Sequence, residues 1–173
     1  MNKAIFLDRD GTINVDYGYV HEIEKFHYID HVIDGLKKLS ELGYILIVIT
    51  NQSGIGRGYY SLEQFNELNK YMLKTLKEEN INISKVYYCP HIDSDNCNCR
   101  KPKLELFYKA KEEFNIDFKK SYAIGDKPRD LEICKEESVK GILLTNAEES
   151  EFICKSNLFE AAEYIERESK WKY

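Results

Sequence analysis

Two carboxylates one residue apart, Asp8 and Asp10, follow directly on the apolar run Ala4–Leu7. A third, Asp126, follows Tyr122–Ile124 in Gly125-Asp126-Lys127-Pro128-Arg129-Asp130. Thr50 ends another apolar run, Ile45–Ile49, and opens Thr50-Asn51-Gln52-Ser53-Gly54-Ile55-Gly56-Arg57-Gly58. That stretch is rich in hydroxyls, amides and glycines, and such loops can aim backbone N–H groups at an anion. A carboxylate with an ordinary pKa of about 3.9 is ionised at neutral pH and can attack phosphorus without a general base. What opposes the attack is the negative charge of a phosphomonoester. A hard divalent cation on oxygen ligands, with cationic and hydroxyl donors around the phosphoryl oxygens, removes that obstacle.

On this logic Asp8 is the candidate nucleophile, and Asp8, Asp126 and the backbone carbonyl of Asp10 are the candidate Mg2+ ligands. Thr50 and a lysine are the candidate phosphoryl donors. Asp10 is placed to protonate the departing alkoxide and then to take a proton from the attacking water. Each feature has a plainer reading, since Asp-Gly pairs and Gly-rich loops turn chains everywhere, and Asp130 alone reads as a helix N-cap. Turn chemistry does not explain why three strand ends deliver the whole set to one edge. A receiver-like phosphoacceptor switch also joins Asp, Thr, Lys and Mg2+, but it has no acid two residues after the nucleophile.

Of five cysteines, Cys89, Cys97 and Cys99 crowd with His91 into eleven residues, whereas Cys134 and Cys154 stand alone. Three thiols and an imidazole at this spacing suit tetrahedral Zn2+, and a four-ligand site has no open position, so its role is structural. His21, His27 and His31 read as surface or helix-start residues because no second metal set surrounds them.

The elements that must position these groups alternate. Short apolar runs, Ala4–Leu7, Ile45–Ile49, Val86–Tyr88, Tyr122–Ile124 and Ile142–Leu144, read as buried strands. Between them, Val32, Leu36 and Leu39 before Gly43 have helical spacing. A second helix starts at Ser61, with Gln64 completing a capping box and Phe65, Leu68, Met72 and Leu76 on one face. Leu104 to Phe114, Leu131 to Glu137 and Leu158 to Glu168 give three more. This order predicts an α/β fold, a Rossmann-like, doubly wound and mostly parallel sheet with helices on both faces, which binds ligands beyond the carboxyl ends of its strands. Asn14 to Asp30 lacks periodicity and is expected to form a flap.

The chain has 173 residues and a net charge of -5, with no block of Lys and Arg, which argues against a nucleic-acid or anionic-lipid partner. The longest apolar run, Ile45–Ile49, is far short of the roughly 20 residues a membrane span needs, and no signal-peptide pattern precedes Ala4. One domain over residues 1–173, in the cytoplasm, is the expectation.

Asp8-Arg9-Asp10-Gly11-Thr12, with Thr50 and Gly125-Asp126-Lys127 in order behind it, resembles the haloacid dehalogenase superfamily of phosphatases. Within that superfamily, Ile5 to His21 and Thr50 to Gly54 are similar to the heptose bisphosphate phosphatases, and the histidinol-phosphate phosphatases share the same motifs. The resemblance spans Ala4 to about Leu144. It implies Mg2+-dependent removal of the C7 phosphate from a small phosphorylated sugar, a heptose bisphosphate, on the route to lipopolysaccharide or related glycans. It also implies a monomer without a large cap. Relatives carry a similar zinc loop leading into Arg-Lys-Pro, which implies that Lys101 supports the phosphoryl group and Arg100 reads the substrate. Asp16, Tyr17, Gly18 and Tyr19 match a substrate-contacting segment, and Asn51, Gln52, Ser53 and Lys127 complete the expected binding set. Two departures, Lys103-Leu104-Glu105 after the Arg-Lys-Pro and a short interval from His91 to Cys97, predict an altered site mouth.

Overall fold

The computed structural model describes residues 1–147 and 150–170; positions 148–149 and 171–173 of the expected 1–173 domain lie outside the described residues. In chain order the elements are β1 (Ala4–Leu7), α1 (Val32–Glu41), β2 (Ile45–Asn51), the single turn α2 (Ser53–Gly56) and α3 (Leu62–Glu78). They continue as β3 (Ile83–Cys89), α4 (Glu105–Phe114), β4 (Tyr122–Gly125), α5 (Ile133–Glu136), β5 (Lys140–Leu144), β6 (Ile153–Lys155) and α6 (Leu158–Lys170). The strands form one sheet in the order β3-β2-β1-β4-β5-β6, and every paired strand is parallel.

Alternation along the short strands splits the core in two, because successive side chains point to opposite faces. Ile5 and Leu7 join Leu46, Val48 and Ile124 under α1, α3 and α6, whereas Ala4 and Phe6 join Ile47, Ile49 and Ala123 under α4 and α5. The sheet is thus covered on both sides, which is why its strands are apolar throughout rather than amphipathic. Helix α3 begins as expected: Ser61 Oγ accepts from Gln64 N–H at 3.2 Å, and the Gln64 side chain accepts from Ser61 N–H at 2.9 Å.

Three boundaries differ from expectation. Strand β3 starts at Ile83 rather than Val86, because backbone pairing with β2 recruits the polar Ser84 and Lys85. The helix expected over Leu131–Glu137 is a 3-10 turn, Pro128–Leu131, followed by the short α5. Strand β6 was not expected at all. It is a three-residue edge strand whose Ile153 is exposed, so it is held by backbone bonds to β5 and leaves no apolar pattern to read.

The first and fourth strands end side by side, with Leu7 opposite Val48 on one flank and Ile124 on the other. Asn51 is paired with Cys89, which sets the β2 loop against the cysteine loop. The segment after Asp8 is pinned at its base by Val15 N–H to His27 O (2.9 Å) and Ile29 N–H to Ile13 O (3.0 Å). Val20 and Phe26 are buried, so the expected flap is anchored in the core, while Asp16 to Tyr19 and Ile23 to Lys25 are exposed.

Candidate active site

A cleft of about 240 Å3 opens at the carboxyl edge of β1, β2 and β4, and it gathers residues from the four connections that follow β1, β2, β3 and β4. Asp8, Asp10, Asp16, Gly18, Tyr19, Asn51, Gln52, Ser53, Arg100, Lys101 and Lys127, all predicted from sequence, line it. Arg57, Tyr60, Arg129 and Asp130 line it as well.

At its floor Lys101 is 3% exposed. Its ammonium donates to Asp8 Oδ1 at 2.8 Å and to Ile49 O at 2.6 Å, and it pairs with Asp130 Oδ1 at 2.8 Å. Burial pulls this ammonium towards a lower pKa, but the Asp8 and Asp130 carboxylates outweigh it and hold the group above its ordinary value. Burial pushes the Asp8 carboxyl up to about 7, against the pull of Lys101. Burial, then the neighbouring Asp130, likewise raises Asp126.

Asp130 corrects the sequence reading. It is not an N-cap, since it sits inside the turn Pro128–Leu131 with one oxygen on Lys101 and the other accepting from Lys127 N–H at 3.1 Å. It is 5% exposed and fixes both the lysine and the turn that presents Asp126. That close fit explains Gly125, where an added Cβ would stand 2.4 Å from Asp130 Cβ.

Asp8, Asp126 and Asp130 bring carboxylate oxygens within 4.8 Å of one another. Asp126 Oδ1 is buried with no hydrogen-bond partner among the described residues, an arrangement that is costly unless a cation takes the lone pairs. An all-oxygen donor set fits a hard divalent cation such as Mg2+. With both Asp130 oxygens engaged, Asp8 and Asp126 are the freer ligands.

Asp10 is held by four donors. Arg9 Nε and Nη2 reach its two oxygens at 3.1 and 2.9 Å, Asn14 Nδ2 at 3.0 Å and Gln52 Nε2 at 2.9 Å. Both of its side-chain oxygens are therefore engaged. Arg9, missed in the sequence, is buried and also donates to Val20 O at 2.7 Å, tying Asp10 to the flap. An arginine between two chemically interesting acids was the available signal.

Three expected contacts are placed differently. The Asn51 carboxamide does not face ligand freely: it donates to Lys101 O and accepts from Lys101 N–H, both at 3.0 Å, bracing the backbone of the lysine. Thr50 lies behind the cleft wall, its Oγ1 accepting from Gln52 Nε2 at 2.8 Å, while Gln52 Oε1 accepts from Tyr60 at 2.6 Å. Tyr17 turns out of the cleft into a neighbouring hollow shared with His21, His27 and Tyr59. His31 occupies the N-cap of α1, as a helix-start residue should. At the cleft mouth Asp16 Oδ2 stands 3.5 Å from Lys127 Nζ, closing the loop tip against the β4 turn.

The cysteine loop meets the cleft at Arg100. Cys89 Sγ lies 3.6 Å from Cys97 Sγ and 3.1 Å from Cys99 Sγ, and His91 Nδ1 lies 3.5 Å from Cys89 Sγ and 3.2 Å from Cys99 Sγ. A tetrahedron with bonds of about 2.0–2.3 Å has edges of roughly 3.3–3.8 Å, so the four donors can close on one zinc-sized ion with little movement. Arg100 Nε, one residue past the last thiol, is 2.5 Å from Asp93 Oδ1. The Arg100 guanidinium holds the Asp93 carboxyl below its usual range, and Arg57 and Arg129 act in the same direction.

Residues 3–157 match the family described as polynucleotide kinase 3 phosphatase. Over 137 residues the chain is 50% identical to the D-glycero-beta-D-manno-heptose-1,7-bisphosphate 7-phosphatase of Haemophilus influenzae, covering 76% of this chain and 74% of that one. It is 43% identical over 149 residues to the D-glycero-alpha-D-manno-heptose-1,7-bisphosphate 7-phosphatase of Campylobacter jejuni, covering 86% of each. Among solved structures, a D,D-heptose 1,7-bisphosphate phosphatase from B. bronchiseptica, complexed with magnesium and phosphate, superposes with a TM-score of 0.86 at 24% identity, over 96% of this chain and 99% of that one. The chain belongs to the polynucleotide kinase 3 phosphatase family of haloacid dehalogenase-type phosphatases.

Proposed function

We propose that the protein is a Mg2+-dependent sugar phosphatase that hydrolyses the C7 phosphate of D-glycero-D-manno-heptose 1,7-bisphosphate to leave the heptose 1-phosphate. The observation that carries this reading is the Asp8–Lys101–Asp130 chain beside the unpartnered Asp126 Oδ1, in a protein 50% identical to a named heptose bisphosphate phosphatase. Mg2+, when bound by Asp8, Asp126 and the Asp10 carbonyl, supplies the positive charge that screens an anionic nucleophile from an anionic ester.

Asp8 attacks phosphorus and forms an aspartyl-phosphate as the bond to the C7 oxygen breaks. Asp10 gives that oxygen a proton, then takes one from the water that attacks the acyl phosphate and returns Asp8 to carboxylate. Lys101, with Ser53 and the loop after β2, stabilises the phosphoryl oxygens, and Gln52, bridging Thr50, Tyr60 and Asp10, orients the acid. Arg100 holds the substrate's other phosphate, while Asp16, Gly18, Tyr19 and Lys127 flank the sugar.

The test is kcat/KM on both anomers of the 1,7-bisphosphate, the heptose 7-phosphate and histidinol phosphate. One bisphosphate anomer is expected to exceed the other three substrates by at least about tenfold, the scale of one lost charged contact. A preference for histidinol phosphate would overturn the assignment. Relatives named for the alpha and the beta anomer both exceed 40% identity, so the panel needs each.

Zn2+ on Cys89, His91, Cys97 and Cys99 would stiffen the segment that delivers Arg100 and Lys101. A flexible cation contributes most when its freedom is already lost before substrate arrives. Stripping zinc is expected to lower kcat by about 10–100-fold while Mg2+ affinity is retained. Unchanged kinetics in verified zinc-free, folded protein would refute this role. The protein is expected to act as a monomer in the cytoplasm, which size-exclusion and fractionation measurements check.

A further inference from the structure

Resting on the bisphosphate reading, one phosphate occupies the floor at Asp8 and the other must find cations elsewhere in the cleft. Arg57, Arg100 and Arg129 line that cleft from three separate connections, after β2, after the cysteine loop and after β4. Arg57 and Arg129 form no ion pair among the described residues, whereas Arg100 is bound through Nε to Asp93. Arg100 Nη1 is buried with no partner, which leaves half of a guanidinium fork unused. Asp93 is thus a carboxylate set directly on one arginine of the cleft.

We propose that Asp93 is a specificity-determining residue: its carboxylate holds Arg100, which lines the anion subsite with Arg57 and Arg129, and the substrate's second phosphate must displace it. The Asp93 side chain is 79% exposed, so its hold on Arg100 is that of a surface ion pair and is easily exchanged. A phosphate brings more charge and three acceptor oxygens, can take both arms of the guanidinium, and draws on Arg57 and Arg129 at once. A weaker monoanion cannot compensate for losing Asp93. The carboxylate therefore neutralises the subsite until a dianion arrives and screens out weaker anions, at some cost to the affinity for the bisphosphate itself.

The experiment compares wild type, Asp93→Asn and Arg129→Gln on two ligand pairs. In the first, the ratio of kcat/KM for heptose 1,7-bisphosphate over heptose 7-phosphate is measured with zinc content and circular dichroism as folding checks. Asp93→Asn is expected to raise kcat/KM for the bisphosphate about two- to fivefold, the scale of a surface ion pair. The monophosphate brings no phosphate to the subsite and is expected to change less, so that the ratio rises, whereas Arg129→Gln lowers the bisphosphate value alone by about three- to tenfold. In the second, binding of fructose 1,6-bisphosphate and fructose 6-phosphate to the Mg2+-loaded protein is followed by calorimetry, with the same order expected.

An Asp93→Asn protein that binds bisphosphate no more tightly than wild type overturns the proposal. So does an Arg129→Gln protein that loses both members of a pair equally. Arg129 lies on a different connection from the cysteine loop, so its variant decides the matter even if Asp93→Asn fails to fold. Failure of the heptose reading is distinct: wild type then turns over neither heptose, while the fructose pair still judges Asp93.

Discussion

Asp8→Asn is expected to lower kcat by at least about 10^4 in folded protein, since it removes the proposed nucleophile, and with it the acyl phosphate that the second half-reaction hydrolyses, rather than one supporting contact. The substitution is nearly isosteric, and Lys101 keeps Asp130 and Ile49 O as partners, so the fold should survive. Two measurements separate loss of chemistry from loss of structure. Rapid quench of wild type with a radiolabelled phosphomonoester should trap an acyl phosphate that hydroxylamine cleaves, and the variant should trap none. Phosphate should still bind the variant in the presence of Mg2+. Turnover persisting within a hundredfold of wild type, with the far-ultraviolet spectrum unchanged, would remove Asp8 from the mechanism and the aspartyl-phosphate with it.

Lys101→Met is expected to harm stability and rate together, for separable reasons. Its ammonium is the cation between two nearly buried carboxylates, with side-chain exposures of 12% for Asp8 and 3% for Asp130. Removing one member of a buried charge cluster typically costs about 3–5 kcal/mol, because the charges left behind are uncompensated. The deficit should narrow as pH falls from about 8 to about 5. Folding already raises the Asp8 carboxyl, and a group raised by folding favours the folded state when protonated and disfavours it as pH climbs through the folded value. The loss in kcat should be about 10^2–10^3, the scale of one charged donor to a developing oxyanion. Adding Asp130→Asn to Lys101→Met should restore much of the stability and none of the rate. If kcat of the single variant stays within tenfold of wild type, Lys101 is a structural cation and not a phosphoryl donor.

These contrasts arise because the same lysine is fixed at both ends. Asn51 clamps its backbone while Asp8, Asp130 and Ile49 O hold its ammonium. Gly11 shows how little slack surrounds the acids: at φ +87 it lies where an added Cβ would stand 2.4 Å from Asp126 Oδ2. The carboxylates are placed by contact on every side, which is what a site must do to keep like charges close without a large reorganisation on binding.

Much of this was legible in the chain because the chemistry sits at strand ends. In a parallel, doubly wound sheet every strand's carboxyl end reaches the same edge, so Asp8, Thr50, Cys89 and Asp126 are neighbours once four apolar runs are recognised. The thiol and imidazole spacing in Cys89–Cys99 is equally local, and four ligands that close in sequence close in space. Strand β6 escaped because an exposed edge strand is held by backbone hydrogen bonds that carry no side-chain signature. Only the packed loops decided which partner each polar group took. Asp130 turned inward to Lys101, Asn51 became a brace, Arg9 took hold of Asp10, and Asp93 met Arg100 beside two further arginines. Sequence spacing is rigid over one strand or one metal loop, but side chains from separate loops meet only where the fold brings them together, and burial then makes each of those meetings obligatory.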